Sequence, residues 1–336
     1  MLYHDLHKNQ NEDTATIDLH KEMDIKQRHN HFLRKLIDGY KKSNRRNFSE
    51  FREKQEKPVA PSFLKEFLDK KTNFDNLSQK LMNLLKEKAC KERLSNGGKV
   101  VFVNYDEIEE EKKQECFLIA ILSEQASFLA QDGDIDEKQT LDLRHLKFAG
   151  RINLSMWEQE QERYISFIKG NGDIAHYFQK FLHCKDVIDF KKETARLLKI
   201  AENFANNFYQ DIDKKINFLS KTHSYLHNLA TQESSFEVKT YIEFINQDQD
   251  IQMTDDLIME LENTLSDLDN GVSDGFIPNK DKLNSLTIFK ASVDSLKISF
   301  GYDAIKKGYL IKDRSDIIIK NAPKELLKAW DNNDNN

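Results

Sequence analysis

Three cysteines in 336 residues, Cys90, Cys116 and Cys184, are too few and too far apart for a disulfide framework, and no CxxC or CxxH spacing offers a zinc site. They read as buried thiols of a reducing cytoplasm. Long apolar runs are also lacking. The longest lies near "CFLIAIL" (116–122), far short of the roughly 20 residues a bilayer span needs, so no membrane role is expected. The polar, acid-bearing start "MLYHDLHKNQNEDTATIDLHKEMD" reads as neither a signal peptide nor a transit peptide. HExxH and GxSxG are both absent. His176 and His183 stand seven apart, about 10 Å of helical rise, which is too far for one metal.

The glycines of "YISFIKGNGDIAHYFQKFL" (164–182) raise the possibility of a phosphate loop. A Walker loop puts Lys-Ser/Thr after its last glycine, whereas Lys169 here precedes Gly170 and Gly172. A dinucleotide fingerprint fits only with Ala175 in the third place, and the neighbouring strands do not suggest a βαβ frame. What survives is an anion, such as a DNA phosphate, held near Lys169 at a helix start. "DGDIDE" (132–137) offers acids at the first three alternate positions of a calcium loop. It lacks the glycine at the sixth and has Leu143 where the bidentate Glu belongs, so it reads as a β-turn. No catalytic residue, metal ligand or cofactor is assigned.

Charge is present and unevenly placed. The net value is −6, yet Lys26–Lys57 carries eleven Lys/Arg against four Asp/Glu. Thr231–Gly275 carries twelve Asp/Glu against Lys239 alone. Such polarisation can mark a face for a polyanion, although charged helices also have solvated faces for no further reason. Phe32, Leu33, Leu36, Ile37 and Tyr40 recur at helical spacing, predicting one or two amphipathic helices between Lys26 and Phe51. Their polar face holds Arg34, Lys35, Lys41, Lys42, Arg45 and Arg46.

The rest of the chain sorts into blocks. Residues 1–25 read as a flexible, loosely attached N-terminus and 26–95 as a basic helical region, with Pro58 and Pro61 as breakers and Asn73 or Thr72 opening a helix. Residues 96–186 read as an α+β core. In it "KVVFVNY" (99–105) and "QECFLIAIL" (114–122) form antiparallel strands, and "YISFIKG" (164–170) is a strand entering a turn. Residues 187–270 read as a helical segment that turns acidic, 271–330 as a β-rich region with a terminal helix, and 331–336 as a disordered tail. Strands are segregated from helices, so the fold class is α+β, with antiparallel β regions and a long central helical segment.

Several stretches resemble the bacterial nucleoid-associated protein family of NdpA and YejK. They are "GGKVVFVNY" (97–105), "FLIAILSEQASF" (117–128), "DIDEKQTLDLRHLKFAGRINLSMWE" (134–158), "RYISFIKGNGDIAHYFQKFL" (163–182) and "LKISFGYDAIKKGYLIKDRSDIIIKNAPKELL" (296–327). The likeness is weak in 1–60 and in the acidic helices. Two departures stand out. Asn171 takes the place where the family tends to carry a basic residue, and His183 takes the place where it tends to carry Gly. The resemblance implies a non-enzymatic, cytoplasmic protein of the nucleoid that works with DNA-topology enzymes such as topoisomerase IV. Joined to the charge pattern, it predicts largely sequence-independent binding of double-stranded DNA through Arg34, Lys35, Lys41, Lys42, Arg45, Arg46 and Lys169, by a homodimer. The alternatives are an adaptor subunit of a bacterial chromosome-maintenance or phage-defence complex, and a cryptic metal-dependent nuclease.

Overall fold

The structure is a computed structural model. It describes the whole chain except residues 44–45, 53–58, 93–96, 110–111, 132–133, 144–145, 147, 169–178, 186–188, 249–250, 252, 284–285, 287, 294–295, 302, 315, 326 and 329–336. Two compact units divide it. The first gathers 1–189, 237–239 and 262–276, and the second 190–236, 240–261 and 277–336. The architecture is α+β.

The first unit is built on a seven-stranded sheet in which every pairing is antiparallel. Its strands are β1 (Leu2–His7), β2 (Thr16–Asp18), β3 (Arg46–Ser49), β4 (Gly98–Glu109), β5 (Lys112–Leu122), β8 (Phe148–Asn153) and β9 (Ile165–Ile168), in the order β2-β1-β4-β5-β8-β9-β3. A separate hairpin pairs β6 (Glu124–Gln131) with β7 (Asp134–Leu141). Both faces of the sheet are covered, which is why β4 and β5 read as nearly continuous apolar runs. On one face Val100, Phe102, Phe117 and Ile119 pack with Leu77, Leu81 and Leu85 of α3 (Phe74–Cys90) and with Leu64 of α2 (Ala60–Leu68). On the other, Val101, Val103, Leu118 and Ala120 meet Leu36 and Tyr40 of α1 (Gln27–Lys41). Asn73 caps α3, its side chain accepting the Asn76 amide. Asn153 does the same for the short α4 (Leu154–Glu158).

The N-terminus is not loosely attached. β1 lies inside the sheet between β2 and β4, with Leu2 and Leu6 buried. The register is so close that a Cβ on Gly97 would stand 2.0 Å from the Leu6 carbonyl oxygen, so only glycine fits there. The composition "LYHDLH" hides this because its polar members are satisfied internally. His4 Nδ1 accepts the His20 amide at 3.0 Å. Its Nε2 therefore carries the proton and donates to Ser78 Oγ at 3.0 Å, and the Ser78 hydroxyl donates to the Asp75 carbonyl at 2.7 Å. Burial, helped by the nearby His20 and opposed by Asp75 and Asp5, lowers the His4 pKa to about 4. The folded state thus holds His4 neutral, while the unfolded chain protonates it near the ordinary value of 6.5. Its contribution is complete above that value and is lost as pH falls towards 4, by up to about 1.4 kcal/mol per pH unit. Urea midpoints measured from pH 7.5 to 5 are expected to drop in the wild type and to drop less in His4→Gln, which keeps an acceptor and a donor but cannot titrate.

The expected helical reach to Phe51 ends early. α1 stops at Lys41, and Arg46–Ser49 forms the edge strand β3 against β9, with Asn47 opposite Phe167. Arg46 turns inward to the carbonyls that end α1, donating to Tyr40 O at 3.1 Å and to Lys41 O. After β9, the turn and most of the helix expected from Asp173 fall outside the described residues. The helix end is described, and it buries Phe181 and Leu182. His183 then takes φ +59°, the left-handed region that disfavours a side chain, and Cys184 bridges to Phe51. Relief of that backbone strain outweighs the extra chain freedom of glycine, so His183→Gly should stabilise the protein by roughly 0.5–1 kcal/mol in chemical denaturation.

The second unit is mostly helical. The stretch expected as helical holds two helices, α5 (Phe190–Phe208) and α6 (Ile212–Thr231). Asp211 breaks it, its carboxylate accepting the Asp213 and Lys214 amides as an N-cap. Phe204 and Phe218 pack at 5.3 Å between ring centres, and Thr222 and Tyr241 share a buried hydroxyl–hydroxyl bond of 2.7 Å. The unit also takes most of α7 (Val238–Asn246) and α8 (Asp255–Leu265), and contains the short α9 (Lys280–Leu283) and α10 (Asp303–Lys306). Two hairpins complete it, β10 (Ile288–Val293) with β11 (Leu296–Gly301) and β12 (Leu310–Asp313) with β13 (Asp316–Ile319). The tail 331–336 lies outside the described residues.

Candidate nucleic-acid interface

Helix α1 presents its charge because its other side is pinned. Leu36 and Tyr40 are buried against the sheet, and the Tyr40 hydroxyl donates to Ser166 Oγ at 2.9 Å. Arg34, Lys35 and Lys41 on the helix, and Lys42 at its end, are exposed. Arg34 and Lys41 are seven residues apart, as are Lys35 and Lys42, so each pair returns to the same side after two turns, about 10.5 Å along the axis. Asp38 is the one carboxylate on the helix and is exposed within this stripe, three or four residues from all four cations.

Arg46 does not belong to the face. It is 2% exposed, and it donates to Ser266 O as well as to the two carbonyls that end α1. Burial lowers its pKa, with Tyr40 and the carboxylates of Asp267 and Asp269 pulling the other way. Its guanidinium is a structural clasp, and as a phosphate contact it is withdrawn. Arg45 and Lys169 lie outside the described residues. Lys41 is exposed but has a partner, its ammonium pairing with Glu107.

Below the helix end lies a network that the charge count did not reveal. Arg151 of β8 is 1% exposed and forks onto Asp269, at 2.7 and 3.3 Å, with Glu107 at 3.0 Å. Burial alone would lower the Arg151 pKa, but Asp269 overrides it and holds the group well above its ordinary value. Burial also pushes the neighbouring Cys116 thiol up to about 12, despite Arg151, which removes it from nucleophilic chemistry. Arg163 donates to Gly271 O at 2.6 Å and stacks over Phe48 at 4.1 Å. Three buried arginines thus hold the loop 266–271. The acids of that loop are used inside the protein. Asp269 pairs with Arg151, Asp267 accepts the Asp269 and Asn270 amides, and Asp274 accepts the Val238 amide at 2.9 Å. The signal available in the sequence was an arginine inside the apolar alternation of "FAGRINL".

A cleft of about 600 Å³ opens where the helix end meets this loop, lined by Lys41, Lys42, Glu107, Glu262, Asp267 and Asp269 among others. Its carboxylates outnumber its lysines, so this recess is acidic in balance where the outer stripe of α1 is basic. Among the described residues no group of three or more His, Cys, Asp or Glu is placed to hold a metal ion. No helix among the described residues is long and apolar enough to cross a membrane.

Fold and surface together define an antiparallel α+β protein that carries a basic helix on one face of its sheet. The chain belongs to the family described as nucleoid-associated protein YejK, whose profile matches residues 2–327. It is 28% identical over 274 residues to a nucleoid-associated protein of Pseudomonas entomophila (strain L48), covering 79% of this chain and 77% of that one. A nucleoid-associated protein of Pseudomonas putida (strain KT2440) is 29% identical over 278 residues, covering 79% and 77%. One of Metapseudomonas resinovorans is 27% identical over 279 residues, covering 79% and 78%.

Proposed function

We propose that the protein is a non-enzymatic component of the nucleoid, in the cytoplasm, that binds double-stranded DNA through its phosphates with little regard to sequence. The observation that carries this reading is the exposed stripe of Arg34, Lys35, Lys41 and Lys42 on a helix pinned to the sheet. Arg45 and Lys169 extend the reading by their place in the sequence. Flexible cations on a convex helix, without stacking aromatics among them, suit backbone phosphates better than base edges. Family membership adds the nucleoid. In this reading the chain acts as a homodimer alongside DNA-topology enzymes such as topoisomerase IV. The test is fluorescence anisotropy of a labelled duplex across a salt titration. We expect binding that weakens steeply with salt, with a log–log slope of about −0.9 for each phosphate neutralised. Absence of binding at low salt, or affinity indifferent to salt, would overturn the reading.

A further inference from the structure

A second recess in the first unit has the opposite electrostatic balance from the one beside α1. It holds about 370 Å³ and is lined by Arg52, Lys88, Lys91, Glu92, Lys180 and His183. Four permanent cations face one carboxylate, in a chain whose net charge is −6. We propose that this recess seats a phosphodiester of duplex DNA, a contact separate from the α1 stripe. The inference rests on the DNA-binding reading above and adds a site to it.

Separate elements bring the cations together. Arg52 follows β3, and its backbone N–H donates to His183 O at 3.0 Å while its Nε donates to Cys184 O at 2.8 Å. These two bonds orient the guanidinium at the recess wall. Lys88 and Lys91 come from the end of α3, three residues and about one turn apart. Lys91 is held by Glu87 at 2.7 Å, but both side chains are well exposed, and such a pair exchanges readily for a phosphate. Lys180 is exposed and has no ion pair or hydrogen bond among the described residues. The C-terminal dipole of α3 opposes an anion with about half a charge, which four cations outweigh.

His183 stands on the recess wall at φ +59° as the left-handed residue that ends its helix, with the Cys184 amide donating to Gln179 O at 2.9 Å. Among the described residues no Phe, Tyr or Trp lines the recess to stack on a base. That favours a backbone phosphate over a nucleotide. A concave cationic wall also concentrates the field on one anion more than a convex helix does.

The test uses the full chain and the triple variant Lys88→Gln, Lys91→Gln, Lys180→Gln, with a labelled duplex in a salt titration. Lys91 and Lys180 are exposed and Lys88 is half-buried beside Glu87 at 4.0 Å, so an unchanged melting curve verifies the fold. The expected result is a Kd raised about 5- to 10-fold near physiological salt, with a log–log slope shallower by about 0.9, one phosphate's share. A triple variant that keeps wild-type affinity and slope, while Lys35→Gln with Lys42→Gln weakens binding, overturns the recess and spares the α1 reading. A wild-type chain that retains no duplex overturns both. Calorimetry with inorganic pyrophosphate separates a small anion from DNA. Tight uptake that is lost in the triple variant, with duplex binding untouched, also overturns the assignment.

Discussion

Replacing Arg151 with methionine should lower the stability of the first unit by about 3–5 kcal/mol. The guanidinium is 1% exposed and is the counter-charge for Asp269 and Glu107, whose side chains are themselves 8% and 13% exposed. Methionine fills most of the volume but leaves two carboxylates in a medium that punishes unpaired charge. Glu107 keeps Lys41 as a partner, so the larger loss falls on Asp269. Removing both sides should cost less than the single changes imply. Arg151→Met with Asp269→Leu is expected to recover part of the loss, giving a coupling energy of about 1–3 kcal/mol in a double-mutant cycle. Urea unfolding followed by tryptophan fluorescence reports on this, since Trp157 packs against Phe51 and Tyr164 in the same unit. A loss under about 1 kcal/mol for Arg151→Met would mean that Arg46 and Arg163 hold the 266–271 loop without it.

Elements set by a short-range pattern were legible in the sequence. Apolar spacing of 3 and 4 marked α1 and α3, and of the two starts open to α3, Thr72 and Asn73, Asn73 is the cap. The strands expected at 99–105 and 114–122 are the cores of β4 and β5, which pair in register from Lys99 opposite Leu122 to Glu109 opposite Lys112. Roles that depend on a distant partner were not legible there. Arg46 looked like one more surface cation because Ser266, which receives its hydrogen bond, is 220 residues away. β1 looked like a polar tail because His4 is completed by Ser78, 74 residues on. The basic recess was invisible for the same reason, since Arg52 and Cys184 meet across 132 positions. The acidic segment misled in the other direction. Counted as surface charge, its last acids turn out to be internal counter-ions and caps. Charge runs in a sequence report composition, and only burial separates a solvated face from an internal pair.

Neutralising Arg34, Lys35 and Lys42 together, each to glutamine, should weaken duplex binding by about 10- to 100-fold near physiological salt and flatten the salt slope by nearly 3. The prediction depends on which cations face solvent without an internal task. Arg34, Lys35 and Lys42 are exposed on the stripe, whereas Lys41 shares its charge with Glu107, so Lys41→Gln alone should shift the slope by less than one phosphate's share. Arg46→Met gives the opposite signature. It should lower stability through the lost clasp on the end of α1, and the folded fraction should bind DNA with an unchanged salt slope. Asp38→Asn provides a gain-of-function arm, because it removes the one carboxylate inside the stripe, and it should tighten binding a few-fold at low salt and little at high salt. A stripe that binds phosphate must give these effects in this order: the triple change largest, Lys41 small, Arg46 confined to stability and Asp38 reversed in sign. Equal losses for Arg46 and the triple change would place the DNA contact elsewhere, because a buried guanidinium and an exposed stripe can matter equally only if both act through folding.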